Sequence, residues 1–434
     1  MFENEEEKLN DIRKQIEQQD ILKNKLDGAI LQGMERAKRE QRLKQKKRNK
    51  GIWTLAISAV LLITLVTSIR VSPAFANAIS SIPGMEKIVA MIQYDKGLTA
   101  AIENDYFIPL GVSQTKGGLT VTIDGYIVDQ TGIVVFHTFH SRDKLGSFGD
   151  MYMDMDVEGT KRGSSVFGYP HDENEKTYES YSNFSFEEAS NVGNKMARMN
   201  IKLTHQGDDK KFDFNWTLPS SMLQGEIYEL NHSVIVEGQK MTFEKAIIHP
   251  LRTEILINFD ENNEMEILNF EDMHLVNEKG EEWSKIMNGL VSKKTSENKR
   301  SYFFESNFFE KPEKLFIKFS KIQALPKNES DLVINLDTKE IIQHPLGYDL
   351  RLIESSRKGL ELHLYEKNFN YGLFSEVIDA NGESINLESS GFSPREEFTY
   401  HDVIFENHSK TPIVHLPLVF FPNYINGDVS IKLK

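Results

Sequence analysis

No cysteine occurs in the 434 residues of this chain. Disulfides, thiolate metal sites and a cysteine nucleophile are therefore excluded. Secreted animal domains commonly rely on disulfides, so their absence from a chain read below as largely exported points to a bacterial source. The signatures of nucleotide and metal chemistry are also missing: there is no Walker loop, dinucleotide fingerprint, His-Glu-x-x-His or His-x-His. Gly163-Ser164-Ser165 begins a nucleophile elbow, but Phe167 stands where the second glycine belongs. Asp260-Glu261-Asn262-Asn263-Glu264 starts like a calcium loop, yet Met265 occupies the position of the sharp-turn glycine, and the stretch reads as a hairpin turn. No carboxylate pair is singled out by its context. No enzymatic activity, cofactor or metal is expected.

Long apolar runs are equally scarce. The one present, Ile52 to Ile69, is uncharged throughout. At about 1.5 Å of rise per residue it approaches the roughly 30 Å of hydrocarbon that a spanning helix crosses. Before it lies a basic block, Arg36, Lys38, Arg39, Arg42, Lys44, Lys46, Lys47, Arg48 and Lys50. Positive charge beside a span stays in the cytoplasm, which predicts a single-pass protein of the cell membrane with its N-terminus inside and its C-terminus outside. Topology and anionic lipid explain the block, and no aromatic residue interleaves it for base stacking, so nucleic acid is not an expected partner. Ala74-Phe75-Ala76 has the small-x-small form of a signal-peptidase site. The fifty-residue lead and the length of the apolar run do not suit a cleaved signal, so Ala74 and Ala76 are read as a site for later, regulated cutting.

Charge divides across the span. Residues 1–50 carry 14 Lys and Arg against 10 Asp and Glu, the remainder 37 against 55, giving +4 inside and −18 elsewhere. Inside, Leu9, Ile12 and Ile16, then Leu22, Leu26, Ile30 and Met34, fall at helical spacing, with Asp20 a cap between the two stripes. So short a segment cannot bury these stripes alone. The stripe of Leu22, Leu26, Ile30 and Met34 is assigned to binding a cytosolic protein partner.

Beyond the span, 71–105 reads as a helical neck with a Pro83-Gly84 turn. From Tyr106 onward the period changes to two. Leu119 to Ile123, Gly132 to Phe136 and Met151 to Val157 are strands, the last with Met and Val on one face and Tyr152, Asp154 and Asp156 on the other. Two internal echoes appear. Ile247-Ile248-His249-Pro250-Leu251 returns as Ile341-Ile342-Gln343-His344-Pro345-Leu346; Arg300 to Phe304 with Leu315 to Phe319 returns as Glu397 to Tyr400 with Ile413 to Phe421, and more weakly as Tyr178 to Leu203. His249 and His344, each before proline, are expected at strand bends. The fold expected is mainly β: tandem Ig-like β-sandwich extracytoplasmic domains of about one hundred residues each, one transmembrane helix and a short α-helical cytoplasmic segment. The boundaries are 1–50 cytoplasmic, 51–70 span, 71–105 neck, and 106–220, 221–338 and 339–434 for the three β domains.

Four short motifs occur in order at the neck: Val71-Ser72-Pro73-Ala74-Phe75-Ala76-Asn77-Ala78-Ile79, Ile82-Pro83-Gly84, Tyr94-Asp95-Lys96-Gly97-Leu98 and Glu103-Asn104-Asp105-Tyr106. Together they resemble the bacterial family known as domain of unknown function 4179, over roughly residues 45 to 140, and Gly238 to Phe259 resembles the further domain of unknown function that often follows it in Bacillus-type members. Many such proteins are encoded beside extracytoplasmic-function sigma factors. The resemblance therefore implies a membrane-bound anti-sigma factor or envelope sensor, with a sigma factor as cytosolic partner and an extracytoplasmic ligand or condition outside. Lacking cysteine, the chain departs from the zinc-type anti-sigma clamp, and no catalytic residue is carried over. The alternative is a surface-anchored structural or adhesive protein with no regulatory role.

Overall fold

The computed structural model describes residues 3–18, 85–92, 94–146, 148–168, 174–283, 292–407 and 411–434. The chain divides into two units, Met1–Ile82 and Pro83–Lys434. Of the first, the described part is one helix, α1 (Glu3–Gln18), on which Leu9 and Ile12 are exposed. The apolar run 52–69, the stripe of Leu22, Leu26, Ile30 and Met34, and Ala74 and Ala76 all lie outside the described residues. Among those described, no helix is long and apolar enough to cross a membrane.

The second unit opens with two short helices, α2 (Met85–Ile92) and α3 (Lys96–Glu103), and continues as antiparallel sheet. The first sandwich sets the sheet β1 (Ile108–Lys116), β2 (Leu119–Val128), β3 (Gly132–Ser141), β6 (Thr177–Phe186), β5 (Arg162–Val166), in that order, against β4 (Phe148–Val157), β7 (Met196–His205), β8 (Asp208–Thr217). Alternation selects the buried face: Met151, Met153, Met155 and Val157 enter a core with Val121, Ile123, Ile201, Leu203, Phe212 and Trp216. On the polar face of β4, Asp154 pairs with Arg162 at 2.8 Å and Asp156 with Arg198 at 3.5 Å.

The second sandwich repeats this order. Its first sheet runs β9 (Glu226–Val236), β10 (Gln239–Ile248), β11 (Arg252–Phe259), β16 (Lys299–Glu305), β15 (Ser292–Ser296). Its second centres on β17 (Leu315–Pro326), flanked on one edge by β12 (Met265–Phe270) and β13 (His274–Asn277), with β14 (Glu282–Trp283) outside β13. The stretch 260–264 thus carries the chain from one sheet to the other and is not the hairpin turn expected. Asp260 there accepts from Asn262 N–H at 3.0 Å and from Lys240 at 3.0 Å.

The third sandwich pairs β20 (Leu350–Ser356), β21 (Gly359–Leu364), β25 (Thr399–Phe405), β24 (Leu387–Pro394) with a sheet ordered β19 (Glu340–Gln343), β18 (Asp331–Asn335), β26 (Ile413–Pro417), β22 (Val377–Asp379), β23 (Ser384–Ile385).

Placing the sandwiches side by side shows where the last strand of each goes. In the first, β7 and β8 are joined by Gln206-Gly207, whose φ angles of 55° and 82° make a tight hairpin. In the second, β17 holds the place of β7, but no such turn follows Pro326, and the chain leaves to form β18 against β26 in the third sandwich. The vacant edge of β17 is filled by β27 (Tyr424–Lys432), after β26 has returned the chain. The second and third sandwiches have exchanged their closing strands. Accordingly Ile425, Ile431 and Leu433 sit in the second core, and Leu332 and Ile334 of β18 in the third. Within 339–434, expected as the third β domain, the final strand β27 pairs with β17 of the second sandwich, and β26 pairs with β18 from before residue 339.

The echoes resolve differently under this alignment. Tyr178 to Leu203, Arg300 to Phe319 and Glu397 to Phe421 fall on equivalent strands, β6–β7, β16–β17 and β25–β26. The His-Pro-Leu echo does not: His249-Pro250 joins β10 to β11 within one sheet, whereas His344-Pro345 carries the chain from β19 in one sheet to β20 in the other.

Candidate functional site

The partner-binding residues expected from sequence, Leu22, Leu26, Ile30 and Met34, and the cleavage residues Ala74 and Ala76, lie outside the described residues. What the structure assembles is a polar junction at which the neck, the first sandwich and the second sandwich meet.

The neck enters through α2, where Lys87 reaches Glu179 on β6 at 2.5 Å. Asp95 then caps α3, its Oδ1 accepting the Leu98 N–H at 2.8 Å. Two residues on, Gly97 lies against the end of β16: a Cβ there would stand 2.8 Å from Ser306 N and 3.0 Å from Ser306 O. Only glycine permits so close an approach of helix to backbone. Lys96 donates to the Glu282 carbonyl at 2.7 Å and lies 5.5 Å from the centre of the Trp283 ring. The neck thereby touches both sandwiches.

Asp129, fully buried in the β2–β3 turn, ties the sandwiches directly. Its Oδ1 accepts the Thr131 N–H and hydroxyl, each at 2.7 Å, and its Oδ2 accepts the Leu251 N–H from the β10–β11 turn at 2.8 Å. Arg252, also buried, sends Nη2 to Asn183 Oδ1 at 3.4 Å and lies 5.7 Å from the Phe303 ring centre. Burial lowers its pKa, while Asp129 and Glu254 favour its charge. Gly132 makes room for that guanidinium, since a Cβ would fall 3.1 Å from Nη2.

Not all of this polar material is paired. Glu305, cross-strand partner of Arg252, is buried with no hydrogen bond or ion pair to its carboxyl among the described residues. Burial pushes it up to about 8, assisted by the Asp95 charge and opposed by Lys96. Desolvation likewise carries Asp95 up to about 6, against the lowering effect of its backbone donors. Tyr181 on β6 faces both carboxyls and is pushed up to about 12, by burial first and then by their charges. His249 is buried with neither ring nitrogen partnered, and Arg252 Nε, Thr253 Oγ1 and both side-chain polar atoms of Asn307 share that state. The backbone of His249 is held, its carbonyl accepting the Ser306 hydroxyl at 2.5 Å. Burial lowers the imidazole pKa, so the ring is neutral at pH 7.

Sequence reasoning located Asp95, Lys96 and Gly97 as part of a motif and His249 at a bend, but assigned none of them to a site. Glu305, Asp129 and Arg252 carried no local signal. They become a site only through contacts between residues as far apart as Asp129 and Leu251.

The architecture is that of a helical neck leading into a multi-sandwich β region whose closing strands are exchanged. Residues 45–141 match the model of a domain of unknown function (DUF4179), and residues 225–352 that of a family of unknown function (DUF5643), the first domain followed by the second as the neck motifs implied. Asp95 and Asp129 lie in the first matched region, His249, Arg252 and Glu305 in the second, so the junction is where the two meet. A conserved domain protein from Bacillus anthracis, known from its crystal structure, is similar at 17% identity over 58% of this chain and 90% of its own, with a TM-score of 0.41. No curated protein matches the chain.

Proposed function

We propose that this chain is a single-pass membrane signalling protein, an anti-sigma factor or envelope sensor with its N-terminus in the cytoplasm. The inner stripe of Leu22, Leu26, Ile30 and Met34 sequesters a sigma factor, and the exported sandwiches respond to an envelope condition. The observation that carries this reading is the seating of α3 in the junction. A neck that only tethered the β region needs no side-chain cap from Asp95, no approach to Ser306 so close that a Cβ would stand 2.8 Å from its nitrogen, and no lysine bonded to the second sandwich. With these, any rearrangement between the sandwiches is felt by the segment that leads back toward the span. The DUF4179 match is compatible with such a role.

A single helix transmits force poorly, so release of the partner proceeds by cutting near Ala74 and Ala76, followed by a cut within the span. Purifying the full-length chain from its bacterial host tests the partner assignment. One sigma factor should accompany the native chain and be lost when Leu22, Leu26, Ile30 and Met34 are all replaced by Asp. Equal recovery of the same proteins by both chains would refute the assignment and leave an anchored adhesive protein as the better account. For the cutting step, persistence of uncut chain while the sigma factor is active would count against it.

A further inference from the structure

We infer that the junction is a proton-responsive hinge, in which ionisation of the half-buried Asp95 and the buried Glu305 carboxyls loosens α3 from the end of β16. The inference rests on the signalling reading only for its consequence, the identity of the stimulus; the hinge itself is a property of the exported unit.

Three geometric features place the pair under tension once charged. First, Glu305 is 7% exposed and unpaired. Second, its cross-strand neighbour Arg252, the obvious counter-ion, has its charge favoured by Asp129 and Glu254 and its Nη2 turned to Asn183. Third, α3 is seated by contacts immediately beside the pair: the Gly97–Ser306 approach on one side and the Asp95 cap on the other. The charged and titratable groups facing the pair are Lys96 on α3, Tyr181 on β6 and Arg252 on β11. Lys96 opposes the charge on Glu305 and backbone donors oppose that on Asp95, but Lys96 is exposed with its ammonium bonded to the Glu282 carbonyl. Tyr181 stays protonated throughout, since its pKa is raised to about 12.

The sign follows from the two states of each carboxyl. Both titrate higher in the folded protein than in an unfolded chain, Asp95 at about 6 and Glu305 at about 8. From their ordinary carboxylate range up to those values, the unfolded chain has released protons that the folded junction retains. Stability of the junction is therefore full at acid pH, falls as pH rises through that window, and is level above it. Acid closes the hinge; neutral to alkaline pH opens it.

Amide hydrogen exchange in the full-length protein in detergent micelles reads the hinge, with rates corrected for the intrinsic pH dependence of exchange. Protection of the α3 amides should fall by about tenfold or more between pH 5.5 and 8.5, since one unit of pKa displacement corresponds to a tenfold change. Glu305→Gln should abolish most of that fall, and Asp95→Asn, which keeps a capping side chain, should remove the lower part of it. Protection independent of pH in the native protein, or an undiminished fall in Glu305→Gln, would overturn the inference. Because no partner is present, failure of the signalling reading leaves this result untouched; a responsive hinge without change in sigma-factor recovery would reject only the stimulus assignment.

Discussion

Asp129 shows what one carboxylate accomplishes when it orders its own turn and reaches across a boundary as well. It receives three hydrogen bonds, one from the second sandwich. Asp129→Ala leaves the Leu251 and Thr131 donors without a partner in a buried site, which costs roughly 1–3 kcal/mol for each group stranded. We expect about 3–5 kcal/mol lost in denaturant unfolding of the second unit. Gly97 poses a competition of effects. In a helix interior, alanine is favoured over glycine by about 1 kcal/mol, but the added Cβ would meet backbone atoms of Ser306 at 2.8 Å, which no rotamer change relieves. Overpacking at a site that cannot yield costs about 1–3 kcal/mol. Gly97→Ala should therefore lower the melting temperature, and a rise would show that α3 is not seated against β16. Neither residue was legible as functional from sequence: Gly97 stood out within a motif, while Asp129 looked like an ordinary turn aspartate, because its partner lies 122 positions away.

Strand identity, by contrast, was written locally. The alternation of Met151 to Val157 predicts which face is buried, and β4 buries Met151, Met153, Met155 and Val157. Sheet assignment was not, since period-two patterning looks the same whether a strand hairpins back or crosses to the opposing sheet. That is why Asp260 to Glu264 read as a hairpin, and why the His-Pro-Leu echo paired positions one strand out of step. The exchange of β18 and β27 yields two linked predictions. Deleting Tyr424–Lys434 strips Ile425, Ile431 and Leu433 from the second core, at roughly 1.5–3 kcal/mol for each buried side chain. The second sandwich should then unfold, seen as loss of Trp283 burial by fluorescence. Replacing Pro326–Phe421 with Asn-Gly instead allows β17 to hairpin directly into β27, as β7 does into β8. That shortened chain should retain a cooperative transition with Trp283 buried. Its collapse would show that β27 closes the second sandwich only with the third sandwich in place.

At the scale of the whole chain, composition and charge distinguish a basic N-terminal part, residues 1–50, from an acidic remainder. They gave no hint that the neck and two sandwiches share one buried polar seam, because buried charge contributes to net charge as solvated charge does. The central proposal is that this seam couples the sandwiches to an N-terminal segment held across a membrane. It predicts that a lesion in the seam alone disturbs a partner held on the other side of the span. The most direct measurement is recovery of the sigma factor with full-length chain carrying Gly97→Val, beside the native chain, with chain abundance and β content checked in both. The account predicts that recovery drops several-fold in the variant although residues 1–50 are unaltered. Undiminished recovery, together with demonstrated loss of α3 protection, would contradict it.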